Sequence, residues 1–155
     1  MSQYDQGDNG LDIGMTTGGR FFSIGDGVVT VVELNTGQGL PGTNYRVQME
    51  HTATLGSEYH FEIDGMVFDQ DQRDNVFVAV GDNVSVGQHI ANFLSQDDDA
   101  HVHFGIYQLG EAGVVRCPVD YFSPEVATQL ENLYDDLVNV EKRSSQPDLC
   151  PESSP

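Results

Sequence analysis

Between Phe21 and Tyr107 apolar and polar positions alternate, the two-residue period of strands with one buried face. Gly25-Asp26-Gly27 precedes the β-branched run Val28-Val29-Thr30-Val31-Val32, which has the length and composition of a strand. A glycine-rich turn or loop from Asn35 to Gly42 leads into Tyr45 to Glu50, which alternates as a half-buried return strand. Glu58 to Val67 predicts another strand or two around the hairpin dipeptide Asp64-Gly65, and Asp69 to Asn75 reads as a charged loop. Val76 to Val80 and His89 to Leu94 flank two turns, Gly81-Asp82-Asn83 and Val86-Gly87-Gln88. His101 to Leu109 is the last well-marked strand, with Val114-Val115 pairing beside it.

The period then lengthens. Ser123 and Pro124 have the character of an N-cap and a first helical residue. Val126, Leu130, Leu133, Leu137 and Val140 follow at spacings of three and four, the stripe of an amphipathic helix over 123–143 that packs on the sheet. Lys142 and Arg143 suit its C-terminal dipole. Residues 144–155 are rich in Ser and Pro and read as a loose tail. Many short strands, glycine turns and one late helix predict a mainly β domain, an antiparallel sheet or sandwich.

At 155 residues the chain has the size of one domain with a sizeable core. It carries 25 acidic residues against 6 Lys plus Arg, and the net charge of -19 opposes nucleic-acid phosphates and anionic lipid. No stretch approaches the roughly 20 apolar residues that span a bilayer. Met1 to Gly10 is polar, without the apolar core of a signal peptide, which leaves an intracellular chain and a mature secreted form both open. Lys142 is the one lysine, so Val80 to Gln88, although it looks like the hairpin of a lipoyl or biotinyl carrier, has no lysine to carry the cofactor. Cys117 and Cys150 both lie near prolines. A bridge between them would tie down the tail and contribute roughly 3–4 kcal/mol on the chain-entropy view, as in secreted or periplasmic proteins; two unrelated thiols have nearly equal weight.

His101-Val102-His103-Phe104 carries the chemistry. In a strand the two imidazoles share one face while Val102 and Phe104 take the other, an arrangement that binds a metal or handles a proton with little backbone strain. His51 and His89 read as structural.

Taken in order, Asp8-Asn9-Gly10-Leu11-Asp12, Gly25 to Val29, Tyr45 to His51, Glu58-Tyr59-His60-Phe61, Val80 to Ile90 and His101-Val102-His103 resemble the lysostaphin- or LytM-type zinc endopeptidases. The similarity runs through Cys117-Pro118-Val119-Asp120-Tyr121-Phe122, which makes 1–122 a LytM-like metallopeptidase domain of the duplicated-hybrid-motif type. It implies cleavage of peptide cross-bridges in bacterial peptidoglycan and a secreted or periplasmic setting. The partner would be a wall peptide or another wall hydrolase, with no nucleic acid and no membrane insertion.

By the same resemblance Asp12 and His103 would be metal ligands, and His60 and His101 the pair that positions or deprotonates water and steadies the tetrahedral intermediate. The family's first ligand is a histidine four residues before the aspartate, where this chain has Asp8. A set of Asp8, Asp12 and His103 would hold Zn²⁺ with more negative charge around it and admit a harder ion such as Mn²⁺. Two more departures stand out: the family's preceding strand and Gly-rich, Arg-containing loop have no counterpart before Asp8, and Tyr59 sits next to His60 rather than two residues before it. Relatives that have lost ligands act as non-catalytic regulators, so a binding or regulatory module is the alternative reading. A plain β scaffold within a larger assembly is a weaker third.

Overall fold

The computed structural model describes residues 10–14, 17–35, 43–63, 69–94, 101–110, 115–130 and 132. Among the described residues nine strands form two antiparallel sheets. The large one contains β1 (Leu11–Gly14), β3 (Gly27–Asn35), β4 (Thr43–Glu50), β5 (Leu55–Ile63), β6 (Asn83–Val84), β8 (His101–Gln108) and β9 (Val115–Arg116). Its order is β1-β8-β5-β4-β3-β6, and β9 pairs with β8 farther along, at Ile106 and Tyr107. The small sheet pairs β2 (Arg20–Phe22) with β7 (His89–Asn92).

Register converts the alternation of the sequence into rows that cross the large sheet. One row is Leu11, Phe104, Tyr59 and Val47; the row above it is Ile13, Val102, Phe61 and Tyr45. Apart from the exposed edge residue Ile13, these side chains are buried. Between the two rows, on the opposite pleat, run Asp12, His103, His60, Arg46 and Glu33. A shift of one residue in any strand would exchange core for polar face, so burial fixes the register. The core face is closed by Phe21, Ile90, Ala91 and Phe93 from around the small sheet. Phe21 meets Phe61 edge-on at 5.3 Å, and Tyr59 donates its hydroxyl to the Phe22 carbonyl at 3.0 Å, which joins the two sheets.

The hairpin-like Val80 to Gln88 stretch owes its path to two glycines in the left-handed region, Gly81 (φ 94°) and Gly87 (φ 76°). The Asp82 carboxylate accepts the Ala79 N–H at 2.9 Å, and Gly81 and Asp82 exchange backbone bonds with Val29. Here two expectations are corrected. Val76 to Val80 is not a strand: only Val76 bridges to Ala91, because the chain turns away at Ala79 to close on β3. Asp69 to Asn75 is not a loop but contains a short helix, α1 (Asp69–Asp74). That helix has no apolar stripe to announce it. Its anchor is the buried Gln72, whose amide donates to Asn92 O at 2.9 Å and accepts from Leu94 N at 3.1 Å.

Ser123 caps a short C-terminal helix, seen at 124–130 and at residue 132: its hydroxyl accepts the Val126 N–H at 3.4 Å, and Pro124 takes the first helical position. Val126 is 41% exposed, while Ala127 and Leu130 are half-buried. Leu133, Leu137 and Val140, on which the packed stripe depends, lie outside the described residues, as do Asp64-Gly65, Val114 and the tail 144–155.

Candidate metal and catalytic site

The polar row holds the candidate site. β1 and β8 pair with Asp12 opposite His103, and His103 Nδ1 lies 2.8 Å from Asp12 Oδ1. An ionised carboxylate only accepts, so Nδ1–H donates. The other nitrogen, Nε2, is covered by Gly10: a Cβ built there would fall 2.0 Å from it. Nδ1 is therefore the nitrogen that can share an ion with Asp12. Two donors around one tetrahedral zinc, each at about 2.0–2.1 Å, would stand about 3.3 Å apart, so this pair fits with a small spreading of the side chains.

On the other side of β8, His60 of β5 stands opposite His103, with ring centroids 6.1 Å apart. His101, two residues from His103 on the same face, places Nε2 3.8 Å from Asp12 Oδ1. The structure thus gathers Asp12, His60, His101 and His103, which are remote in sequence, on one surface. Asp8 lies outside the described residues, and among the described residues no group of three His, Cys, Asp or Glu is arranged to hold a metal. Cys150 also lies outside them, so the Cys117–Cys150 pair is not among the described contacts.

Two residues of the site escaped the sequence reading. Glu62, opposite His101 in register, sets Oε2 3.3 Å from His101 Nε2. Glu58 sets Oε1 2.5 Å from His60 Nε2. Its other oxygen meets Gln48 Nε2, with Arg46 Nη1 at 3.9 Å, and Arg46 is paired in turn with Glu33. The signal was present as Glu58-x-His60-x-Glu62, three polar residues at strand spacing on one face. The hydrogen bond from His101, with help from the positive ends of His101 and His103, holds the Glu62 carboxyl below its ordinary range despite partial burial. The stability Glu62 contributes is therefore present above the ordinary carboxylate pKa and is lost as pH falls through the lowered one.

The remaining histidines are occupied elsewhere. His51 Nδ1–H donates to Asp26 O at 3.0 Å while Nε2 accepts from the buried Ser57 hydroxyl at 2.8 Å. His89 donates through Nε2 to Ala91 O and Asn92 Oδ1 between the rings of Phe22 and Phe77.

This fold is that of the lysostaphin-type peptidase catalytic domains. The catalytic domain of lysostaphin from Staphylococcus simulans superposes with a TM-score of 0.54 at 19% identity, over 73% of this chain and 77% of that one. The catalytic domain of the prophage-encoded M23 protein EnpA from Enterococcus faecalis gives 0.52 at 20%, over 74% and 78%. A zinc-containing peptidase from Vibrio cholerae gives 0.50 at 23%, over 70% of this chain but only 28% of that longer one. No protein-family model and no curated protein sequence matches the chain. At these identities the likeness establishes fold, and the chemistry rests on the residues themselves. Among the described residues no helix is long and apolar enough to cross a membrane.

Proposed function

We propose that this chain is a metal-dependent endopeptidase that cleaves peptide cross-links of bacterial peptidoglycan, in a secreted or periplasmic setting. The observation that carries the reading is the 2.8 Å approach of Asp12 to His103 with His60 and His101 on the same face. Asp12 and His103 Nδ1 would hold the ion, with Asp8 as the third ligand. A bound Zn²⁺ supplies a water acidified toward pKa ~7 and a polarised scissile carbonyl. His101 and His60 stand where they can orient that water and carry a proton between it and the leaving amine, the acid–base role imidazole fills most often. Because Asp8 replaces a neutral ligand by a charged one, Mn²⁺ competes better than at a histidine-rich site.

The test is elemental analysis of purified protein together with cleavage of synthetic cross-bridge peptides. About one equivalent of zinc or manganese and turnover that falls at least ~100-fold in His101→Ala are expected, the scale on which a positioned acid–base group acts. Asp8→His should bind zinc more tightly. Absence of both metal and turnover, in the parent and in Asp8→His, sinks the enzyme.

The second reading is a non-catalytic module that keeps the polar histidine face and binds a wall peptide or another wall hydrolase. Asp8 at the first ligand position favours it. It requires His101→Ala to retain full biological activity, which the enzyme reading forbids. The Cys117–Cys150 bridge belongs to either extracytoplasmic reading. A chain that gains mass only after reduction and alkylation, with both cysteines modified, is the expected result.

A further inference from the structure

Both histidines that flank the Asp12–His103 pair face a carboxylate from β5, and neither carboxylate is one of the ligands proposed above. Resting on the endopeptidase reading, we propose that Glu62 and Glu58 are positioning residues. Each fixes the ring of one flanking histidine, Glu62 that of His101 and Glu58 that of His60.

The geometry gives each pair a defined chemical consequence. His101 Nε2 lies 3.3 Å from Glu62 Oε2 and 3.8 Å from Asp12 Oδ1, and the Glu62 and His101 Cα atoms are direct cross-strand partners. A ring nitrogen between two acceptor-only oxygens carries its proton, so the neutral His101 ring is the Nε2–H tautomer, with Nδ1 as its acceptor. His60 Nε2 lies 2.5 Å from Glu58 Oε1 but without hydrogen-bond alignment, so that contact places the ring without selecting its tautomer. The two supports differ in stiffness. Glu58 is mostly buried and is itself gripped by Gln48 and Arg46, with Glu33 behind Arg46. Glu62 is 38% exposed at the side chain. His60 is thereby locked by a network, whereas His101 is held by a carboxylate that can adjust. Such outer partners of site histidines typically matter about 10–100-fold in affinity or rate.

The experiment reads the imidazole nitrogens of metal-free protein by ¹⁵N-edited NMR across a pH series, with the tautomer taken from the spectra in which the ¹⁵N shifts show a neutral ring. The parent should show Nε2–H for His101. Glu62→Leu should give a mixed His101 tautomer with His60 unchanged, and Glu62→Gln, whose amide oxygen still accepts, should restore the parent pattern. In the metal-loaded protein acting on a cross-bridge peptide, Glu62→Leu should lower kcat about 10-fold or more with KM within about twofold, and Glu62→Gln should recover most of it. Because Glu58 supports Arg46 as well, Glu58→Gln is the variant for His60, and it should keep both the fold and the His101 tautomer. An Nδ1–H ring for His101 in the parent, or a population untouched by Glu62→Leu, overturns the proposal. So does a rise in KM at constant kcat, which would make Glu62 a substrate contact. Should no peptide be cleaved at all, the endopeptidase reading falls while the spectra still decide the positioning.

Discussion

Gly10→Ala is expected to dismantle the Asp12–His103 pair without removing any group that bears chemistry. The new Cβ would sit 2.0 Å from His103 Nε2, 2.3 Å from Cε1 and 2.8 Å from Cδ2, all far inside van der Waals contact. The ring must swing away, and because its Nδ1 is what meets Asp12 at 2.8 Å, the swing separates the two donors. A displacement near 1 Å at a reacting centre costs on the order of 10²-fold, so metal affinity and peptide cleavage should each fall about 100-fold. Stability should change little, since Gly10 lies just before the edge strand β1 and the core behind it is untouched. Gly14→Ala is the matched control at the far end of β1, where an added Cβ meets nothing within 4 Å. Metal titration and peptide assays on the two variants, with a thermal melt of each, check the argument. Equal activity in both would show that His103 does not need its observed position.

The same close approach explains what could and could not be read from the sequence. The period of two over Tyr45 to Glu50 and His101 to Tyr107 identified strands that the structure contains, because one buried face forces that alternation. It also fixed His101 and His103 to one face, a purely local consequence of strand geometry. Partners across the sheet were another matter. Leu11–Gly14 reads as a ligand motif rather than a strand, and nothing local says that it adds to β8, some ninety residues later, with Asp12 opposite His103. Glu58 and Glu62 looked like two of the chain's 25 acids; only pairing of β5 with β8 and β4 brings His101 to Glu62 and Gln48 and Arg46 to Glu58. Helix α1 was hidden for a different reason. Its stabilising contact is one buried glutamine bonded to the backbone around β7, and a polar anchor of that kind leaves no hydrophobic period behind.

The acid excess also takes on meaning in the fold. Glu33, Glu58, Glu62 and Asp12 all lie on the polar face, yet each meets Arg46, Gln48 or a histidine there. The face is a connected network crossing five strands rather than a field of free charge, and its order depends on the apolar rows directly behind it.

Phe61 tests that dependence, because it sits on β5 between His60 and Glu62 and points the other way. It is fully buried, meets Phe21 edge-on at 5.3 Å and stacks on Phe93 at 6.5 Å, and has Val102 and Tyr45 beside it in register. Truncation to alanine removes the ring at the centre of the aromatic cluster and leaves a cavity that rigid strands cannot close. A loss of about 3–5 kcal/mol is expected, a large share of the roughly 5–15 kcal/mol that holds a domain folded. Urea denaturation should show the midpoint falling at unchanged slope, which separates lost stability from a changed unfolded state. Val86→Ala, 64% exposed in a turn, should stay within about 0.5 kcal/mol of the parent. The His101 ring should lose its single tautomer in Phe61→Ala even at low temperature, since the strand that carries Glu62 is no longer clamped from behind. A loss under about 1.5 kcal/mol would mean that the core closes without Phe61 and that the histidine face is held by its own hydrogen bonds alone.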